Sequence, residues 1–195
     1  HFIKILSYLL ENLQAQNPET GEKRSAAQFF DHHKIKDAML QADIQRAVQG
    51  TADVILFNID AKADSNTDRD AILQVFLRVF NEKLGYSGDA PHIADMERHL
   101  VSKGALDVFK AAFAASNGST WEQERDAVDF LRDDIVVALA QALKMTSESA
   151  GQWFDRARDD FRINIESFAK VVNDYLATKP ANHKVIFLVD EVGQF

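Results

Sequence analysis

Asp190 and Glu191 stand side by side directly after the run Val185-Ile186-Phe187-Leu188-Val189. Two acids at the end of a stretch of apolar β-formers are suited to one kind of chemistry. A carboxylate at the C-terminal end of a buried strand can hold Mg²⁺, commonly through water, and so neutralise the phosphates of a nucleotide. The adjacent residue leaves the strand in another direction, where its carboxylate can orient or deprotonate an attacking water. The expected division of labour is Asp190 on the metal and Glu191 as the catalytic acid. A strand that merely happens to end in two acids has the same pattern, so a purely structural role stays open.

No other constellation competes strongly. Asp60 and Lys62 follow an earlier apolar run, where a place on the nucleotide side of a sheet and a plain surface role both stand. His32, His33, His92 and His99 lack a matching set of ligands at helical spacing, so no metal site is expected from them. Arg156, Arg158 and Arg162 have the chemistry of an arginine finger, but fingers cannot be found by spacing, and a solvated helix face is the expected role. Ser, His and Asp are present without a nucleophile-elbow motif. The chain has no cysteine, which excludes disulfides and thiolate metal sites.

Elements that could position the acidic pair follow from the hydrophobic periods. Phe2, Ile3, Ile5, Leu6, Leu9, Leu10 and Leu13 cover more than one face of a helix, which predicts a helix buried on both sides. Asn17-Pro18-Glu19-Thr20-Gly21 breaks it with turn chemistry. A helical pattern resumes from about Ala26 to Gln49, with Ile35, Met39, Leu40, Ile44 and Val48 on one side and Gly50 as a C-terminal cap. The period then changes. Asp53-Val54-Ile55-Leu56-Phe57-Asn58-Ile59-Asp60 is too short for a helix and too apolar for a half-exposed strand, so a buried strand is expected, followed by the polar loop Asp64-Ser65-Asn66-Thr67.

From about Asp68 to Lys179 the spacing is helical almost throughout. Ser119-Thr120-Trp121-Glu122 reads as a capping box opening one long helix with the stripe Trp121, Val128, Leu131, Ile135, Leu139 and Leu143. Asn164 is placed to cap a last helix whose core face is Ile165, Phe168, Val172, Tyr175 and Leu176. Two buried strands separated by that much helix cannot form a hairpin. The expected fold class is α/β, with parallel strands and a crossover enlarged into a large, mostly helical insertion. The expected division is a core at 1–63, the insertion at 64–181, and the acid-bearing strand at 182–195.

The bulk composition narrows the partners. With 22 basic and 30 acidic residues the formal net charge is −8, and such a surface repels phosphate backbones, so this segment is a poor DNA contact. No apolar run reaches the ~18 residues of a membrane span and no signal peptide is visible, and a chain without cysteine fits a reducing cytoplasm. Both ends read as cut within an element, His1 inside a helix and Phe195 just past a strand, so an internal piece of a larger protein is expected.

Apolar β-formers followed by Asp-Glu make a Walker B pattern with a catalytic Glu, and residues 1–13 have the character of the buried helix that follows a phosphate-binding loop. Three stretches carry a more specific likeness: His1-Phe2-Ile3-Lys4-Ile5-Leu6-Ser7-Tyr8-Leu9-Leu10-Glu11-Asn12, Val54-Ile55-Leu56-Phe57-Asn58-Ile59-Asp60, and Lys184 through Asp190-Glu191-Val192-Gly193-Gln194-Phe195. They resemble the BrxC/PglY family, the large P-loop ATPases of bacterial BREX phage-defence systems. The resemblance implies an AAA+-like P-loop NTPase fold, hydrolysis of ATP with Mg²⁺, a bacterial cytoplasmic location, and the other BREX defence proteins as partners, with a homo-oligomer as a further option. It implies Mg²⁺ binding by Asp190 and a catalytic role for Glu191. A Gly-Lys-Ser loop would directly precede His1, so the chain alone is expected to be inactive. A helical interaction scaffold and a signalling or replication ATPase of the AAA+ type remain the alternatives.

Overall fold

The computed structural model describes residues 1–31, 33–58 and 69–190. In chain order its elements are α1 (Phe2–Leu10), β1 (Gln14–Gln16), β2 (Lys23–Ser25), α2 (Ala26–Phe29), α3 (Ala38–Ala47), β3 (Ala52–Asn58), α4 (Arg69–Lys83), α5 (Pro91–Ser102), α6 (Leu106–Asn117), α7 (Trp121–Glu124), a 3-10 turn at Arg125–Phe130, α8 (Arg132–Leu143), α9 (Ser147–Asp160), α10 (Ile165–Leu176) and β4 (Lys184–Asp190). The chain is mixed α/β and divides into two compact units, one of His1–Val75 with Ile165–Phe195, the other of Phe76–Asn164.

The first unit contains the strands. β3 and β4 are parallel neighbours in a two-stranded sheet, the arrangement that two apolar runs separated by helices require. Among the described residues no strand lies between them in sequence. α1 packs against this pair, and α10 does so through Phe168, whose ring centroid is 6.2 Å from that of Phe187. This contact draws α10 to the strands and not to the helical unit, although its periodicity continues that of the preceding helices.

Several expectations are corrected in this unit. Only Ser7 and Leu9 of α1 are buried, and Phe2 is 79% exposed, so the helix is covered on one side. The turn at 17–21 sits inside an antiparallel hairpin, β1 with β2, rather than between two helices. Asn17 holds that turn, its side chain accepting from Glu19 N at 2.8 Å and Thr20 N at 3.2 Å. The hairpin strands read Gln-Ala-Gln and Lys-Arg-Ser and are largely exposed, so no hydrophobic alternation marks them.

The helix expected over 26–49 is two helices. Asp31 accepts from His33 N at 3.0 Å, and Asp37 accepts from Met39 N at 2.8 Å and Leu40 N at 3.1 Å, capping α3. Short acidic side chains competing for backbone donors break the helix between these points. Ile44 is buried beside Leu9 and Ala27, with Ile35 and Val48 partly covered, whereas Met39 is 79% exposed. The helix closes at Val48, and Gly50 takes the left-handed turn two residues further on. β3 is buried through Val54, Ile55 and Phe57, but β4 is only half buried. α10 buries no residue fully, and Ile165 is 73% exposed.

The second unit is helical. Its core gathers Ile93, Met96 and Leu100 of α5, Phe109 and Phe113 of α6, Trp121 of α7, Ile135 and Leu139 of α8, and Phe154 of α9. Trp121 is fully buried and meets Phe109 and Phe113 edge-on, at 4.9 and 5.1 Å between ring centroids, the geometry favoured by aromatic quadrupoles. The expected stripe from Trp121 to Leu143 does face this core, but not on one continuous helix. A 3-10 turn and the non-helical Ala127 interrupt it, and the capping box uses Thr120 with Gln123, one residue later than the sequence reading.

One core position is polar. Glu97 lies among Ile93, Met96 and Leu100 with its side chain 2% exposed. It accepts from Ser87 N at 2.8 Å and Trp121 Nε1 at 2.8 Å, with Arg125 Nη1 at 3.3 Å. A buried carboxylate is tolerable only with such donors and a countercharge. The network ties the 85–88 loop to α5 and α7, since Arg125 also donates to Gly85 O at 2.6 Å.

Candidate functional site

Asp190 is the last residue of β4, and the register of the parallel pair sets it opposite Asn58, the last residue of β3. Both therefore lie at the C-terminal edge of the sheet. Asp190 is exposed and Asn58 half buried, so the edge is open to water. The chemistry of this donor set suits a hard cation: Mg²⁺ takes one or two protein oxygens and fills its remaining positions with waters and substrate phosphates. Among the described residues no group of three or more His, Cys, Asp or Glu could hold a metal ion. His99 meets Trp153 with the rings tilted by 39° and their centroids 5.4 Å apart, and burial followed by the charge of Arg158 lowers the His92 pKa. Glu191, Asp60, Lys62, His32 and the 64–67 loop lie outside the described residues.

The opposite edge of the same two strands fixes their register. Gly50 has φ +86°, and a Cβ there would come within 2.5 Å of Asn182 O, so the segments entering β3 and β4 run in close contact. Lys184 N donates to Thr51 O at 2.9 Å, and Lys184 Nζ reaches Ala47 O at 3.1 Å. Between these lies a polar chain that the sequence reading missed. Thr51 Oγ1 is 2.7 Å from His183 Nδ1, His183 Nε2 is 3.0 Å from Asp53 Oδ2, and Tyr175 of α10 donates its hydroxyl to the same carboxylate oxygen. Lys179 lies 4.7 Å from the Tyr175 ring centroid. The signal available in the sequence was slight: a charged Asp53 opening an apolar run, and a Tyr on the strand-facing side of a helix.

Burial alone would raise the Asp53 carboxyl, but the hydrogen bonds from Tyr175 and His183 and the nearby Lys179 charge outweigh it and hold the group below the usual carboxylate range. A depressed carboxyl stabilises the fold above its unfolded pKa of about 3.9, and that contribution disappears as pH falls through the lower folded value. Asp53→Asn should accordingly cost about 1.5–3 kcal/mol at neutral pH, the scale of hydrogen bonds to a charged group. Thermal unfolding of both proteins followed from pH 7 to pH 2 should show the difference shrinking below about pH 4. A constant difference across that range would exclude Asp53 as the titrating group.

The three arginines considered as fingers belong to the helical unit, where all are exposed. Arg158 pairs with Asp159 at 3.2 Å, and Arg162 donates to the carbonyls of Asp159 and Phe161.

The site and fold together define a parallel strand pair with an acid at its C-terminal edge and a helical unit between the two strands in sequence. No family model matches the chain, and no solved structure matches it significantly.

Proposed function

We propose that this chain is part of the catalytic core of an AAA+-like P-loop ATPase, with Asp190 as the Mg²⁺ residue and Glu191 as the catalytic acid. The observation that carries the proposal is the parallel β3–β4 pair with Asp190 at its C-terminal edge. Ligands of open parallel α/β sheets sit outside the carboxyl ends of the strands. Two further observations support it. In sequence the helical unit falls between the two strands, as an enlarged crossover would. β4 is apolar yet half buried, and among the described residues β3 is its sole strand partner, as fits a sheet with room for another strand.

Mg²⁺ bound at this edge would neutralise charge on the β- and γ-phosphates. Asp190 would hold the metal through its carboxylate, and Glu191 would orient the attacking water and take its proton. The sequence contains no Gly-rich loop ending in Lys-Ser or Lys-Thr, so such an ATPase needs that loop from sequence outside this one. By the resemblance to the BrxC/PglY family we assign the ATPase to a bacterial BREX phage-defence system, where hydrolysis would drive conformational change in a cytoplasmic complex with the other BREX proteins. For the described residues, no helix is long and apolar enough to cross a membrane.

A helical interaction scaffold is the second reading, favoured by the apolar residues that the helical unit leaves exposed, Phe130 at 91% above all. Calorimetry with Mg-ATP separates the two. This chain alone should give a flat titration, because backbone N–H groups of the loop and its Lys supply most of the phosphate affinity. The protein that carries the loop should bind and hydrolyse ATP. Micromolar binding by this chain alone would mean that the site lies elsewhere, and no binding by the loop-bearing protein would leave the scaffold. A signalling or replication ATPase would bind alike, and loss of phage restriction on deleting the protein distinguishes it from a BREX component.

A further inference from the structure

Asn58 is the one polar residue in the run Val54-Ile55-Leu56-Phe57-Asn58-Ile59. Asparagine is depleted in strands, where it packs poorly on apolar neighbours. The sheet gives this position a neighbour of matching chemistry. Asn58 is in register with Asp190, and in-register residues of adjacent parallel strands project from the same face, because side chains alternate along each strand. The carboxamide and the carboxylate thus leave the same face at the same C-terminal edge. Neighbouring strands are about 4.8 Å apart. Two oxygens at adjacent positions around Mg²⁺ are separated by about 3 Å, given metal–oxygen distances near 2.1 Å. Short side chains on the two strands can therefore converge on one cation or on its waters.

We propose that Asn58 is a positioning residue for the divalent cation at Asp190, its carboxamide oxygen serving as a second protein oxygen for the ion or its water shell. This rests on the assignment of Asp190 as the metal residue. A single exposed carboxylate leaves an ion free to swing about it. A second donor on the neighbouring strand fixes which coordination positions remain for phosphate and water. An amide does so without adding a negative charge that would repel a nucleotide.

The test uses Mn²⁺ as the probe and the isotopically labelled chain, with paramagnetic broadening of backbone amide signals as the readout. Broadening should centre on the ends of β3 and β4 at millimolar metal, a range that a titration with micromolar nucleotide does not sense. Asn58→Leu should weaken that site about 10-fold, the scale for losing a supporting group around a metal. Asn58→Asp, which restores an oxygen at the same position, should recover or tighten it, and Asp190→Asn should abolish it. Unchanged amide shifts elsewhere in β3 and β4 confirm that each variant folds. Equal Mn²⁺ affinity in the Asn58→Leu protein, with broadening still centred at residue 190, overturns the role of Asn58 and leaves Asp190 as the metal residue. An Asn58→Asp protein no tighter than Asn58→Leu also overturns it. The absence of any selective broadening at the strand ends in the unaltered chain removes the metal assignment of Asp190 itself.

Discussion

In the protein that carries a phosphate-binding loop, Glu191→Gln is expected to lower ATP turnover by about 100-fold or more while ATP and Mg²⁺ still bind. Glutamine keeps the size and hydrogen-bonding reach of the side chain but removes the basic carboxylate, and a positioned acid–base group contributes about 10²–10⁴-fold. Asp190→Asn should behave differently. It removes the anionic metal ligand at the end of β4, so nucleotide binding should become weaker and less dependent on Mg²⁺. Single-turnover hydrolysis and nucleotide affinity, measured at several Mg²⁺ concentrations, separate the two effects. If the resemblance to the BREX ATPases is sound, both variants lose phage restriction in cells. Near-normal turnover in the Glu191→Gln protein would withdraw the catalytic role from this residue and strengthen the scaffold reading.

The largest effect on stability is expected at Glu97. Glu97→Ala strips the acceptor from the backbone N–H of Ser87 and the indole of Trp121, and leaves Arg125 without the carboxylate it pairs with. Breaking a buried pair by removing one partner typically costs about 3–5 kcal/mol, chiefly from the groups left unsatisfied. Glu97→Gln keeps an acceptor but loses the charge, and should cost about 1–3 kcal/mol. Both tryptophans, Trp121 and Trp153, lie in the helical unit, so denaturant unfolding followed by tryptophan fluorescence reports on that unit specifically. A loss below about 1 kcal/mol for Glu97→Ala would mean that water replaces the carboxylate at little cost.

Glu97 also marks a limit of pattern reading. A glutamate at a core position of α5 looks like an exposed interruption in an apolar stripe, because its donors come from residues 87, 121 and 125, none of them its helical neighbours. The break between α2 and α3 and the hairpin at 14–25 escape for a related reason. They depend on Asn17, Asp31 and Asp37 bonding to backbone groups, which leaves no hydrophobic period behind.

Local chemistry in the chain was enough to set the two apolar runs as strands, the helical character between them, the break at residues 17–21, and the position of Asp190 at a strand end. Each depends on the types of a few consecutive residues. The pairing itself obeyed a connection rule, since strands so far apart in sequence, with helices between them, are joined as parallel neighbours. Tertiary structure alone decided the register. It joins His183 to Asp53 across 130 positions of sequence and places Thr51, Tyr175 and Gly50 around that contact. It also decided that Asn58 faces Asp190, because the strands must align before residues so distant can share an edge. Burial followed the same division: the periodicity of α1 and α10 identified apolar faces, but how much of each face is covered depends on packing partners that no local pattern encodes.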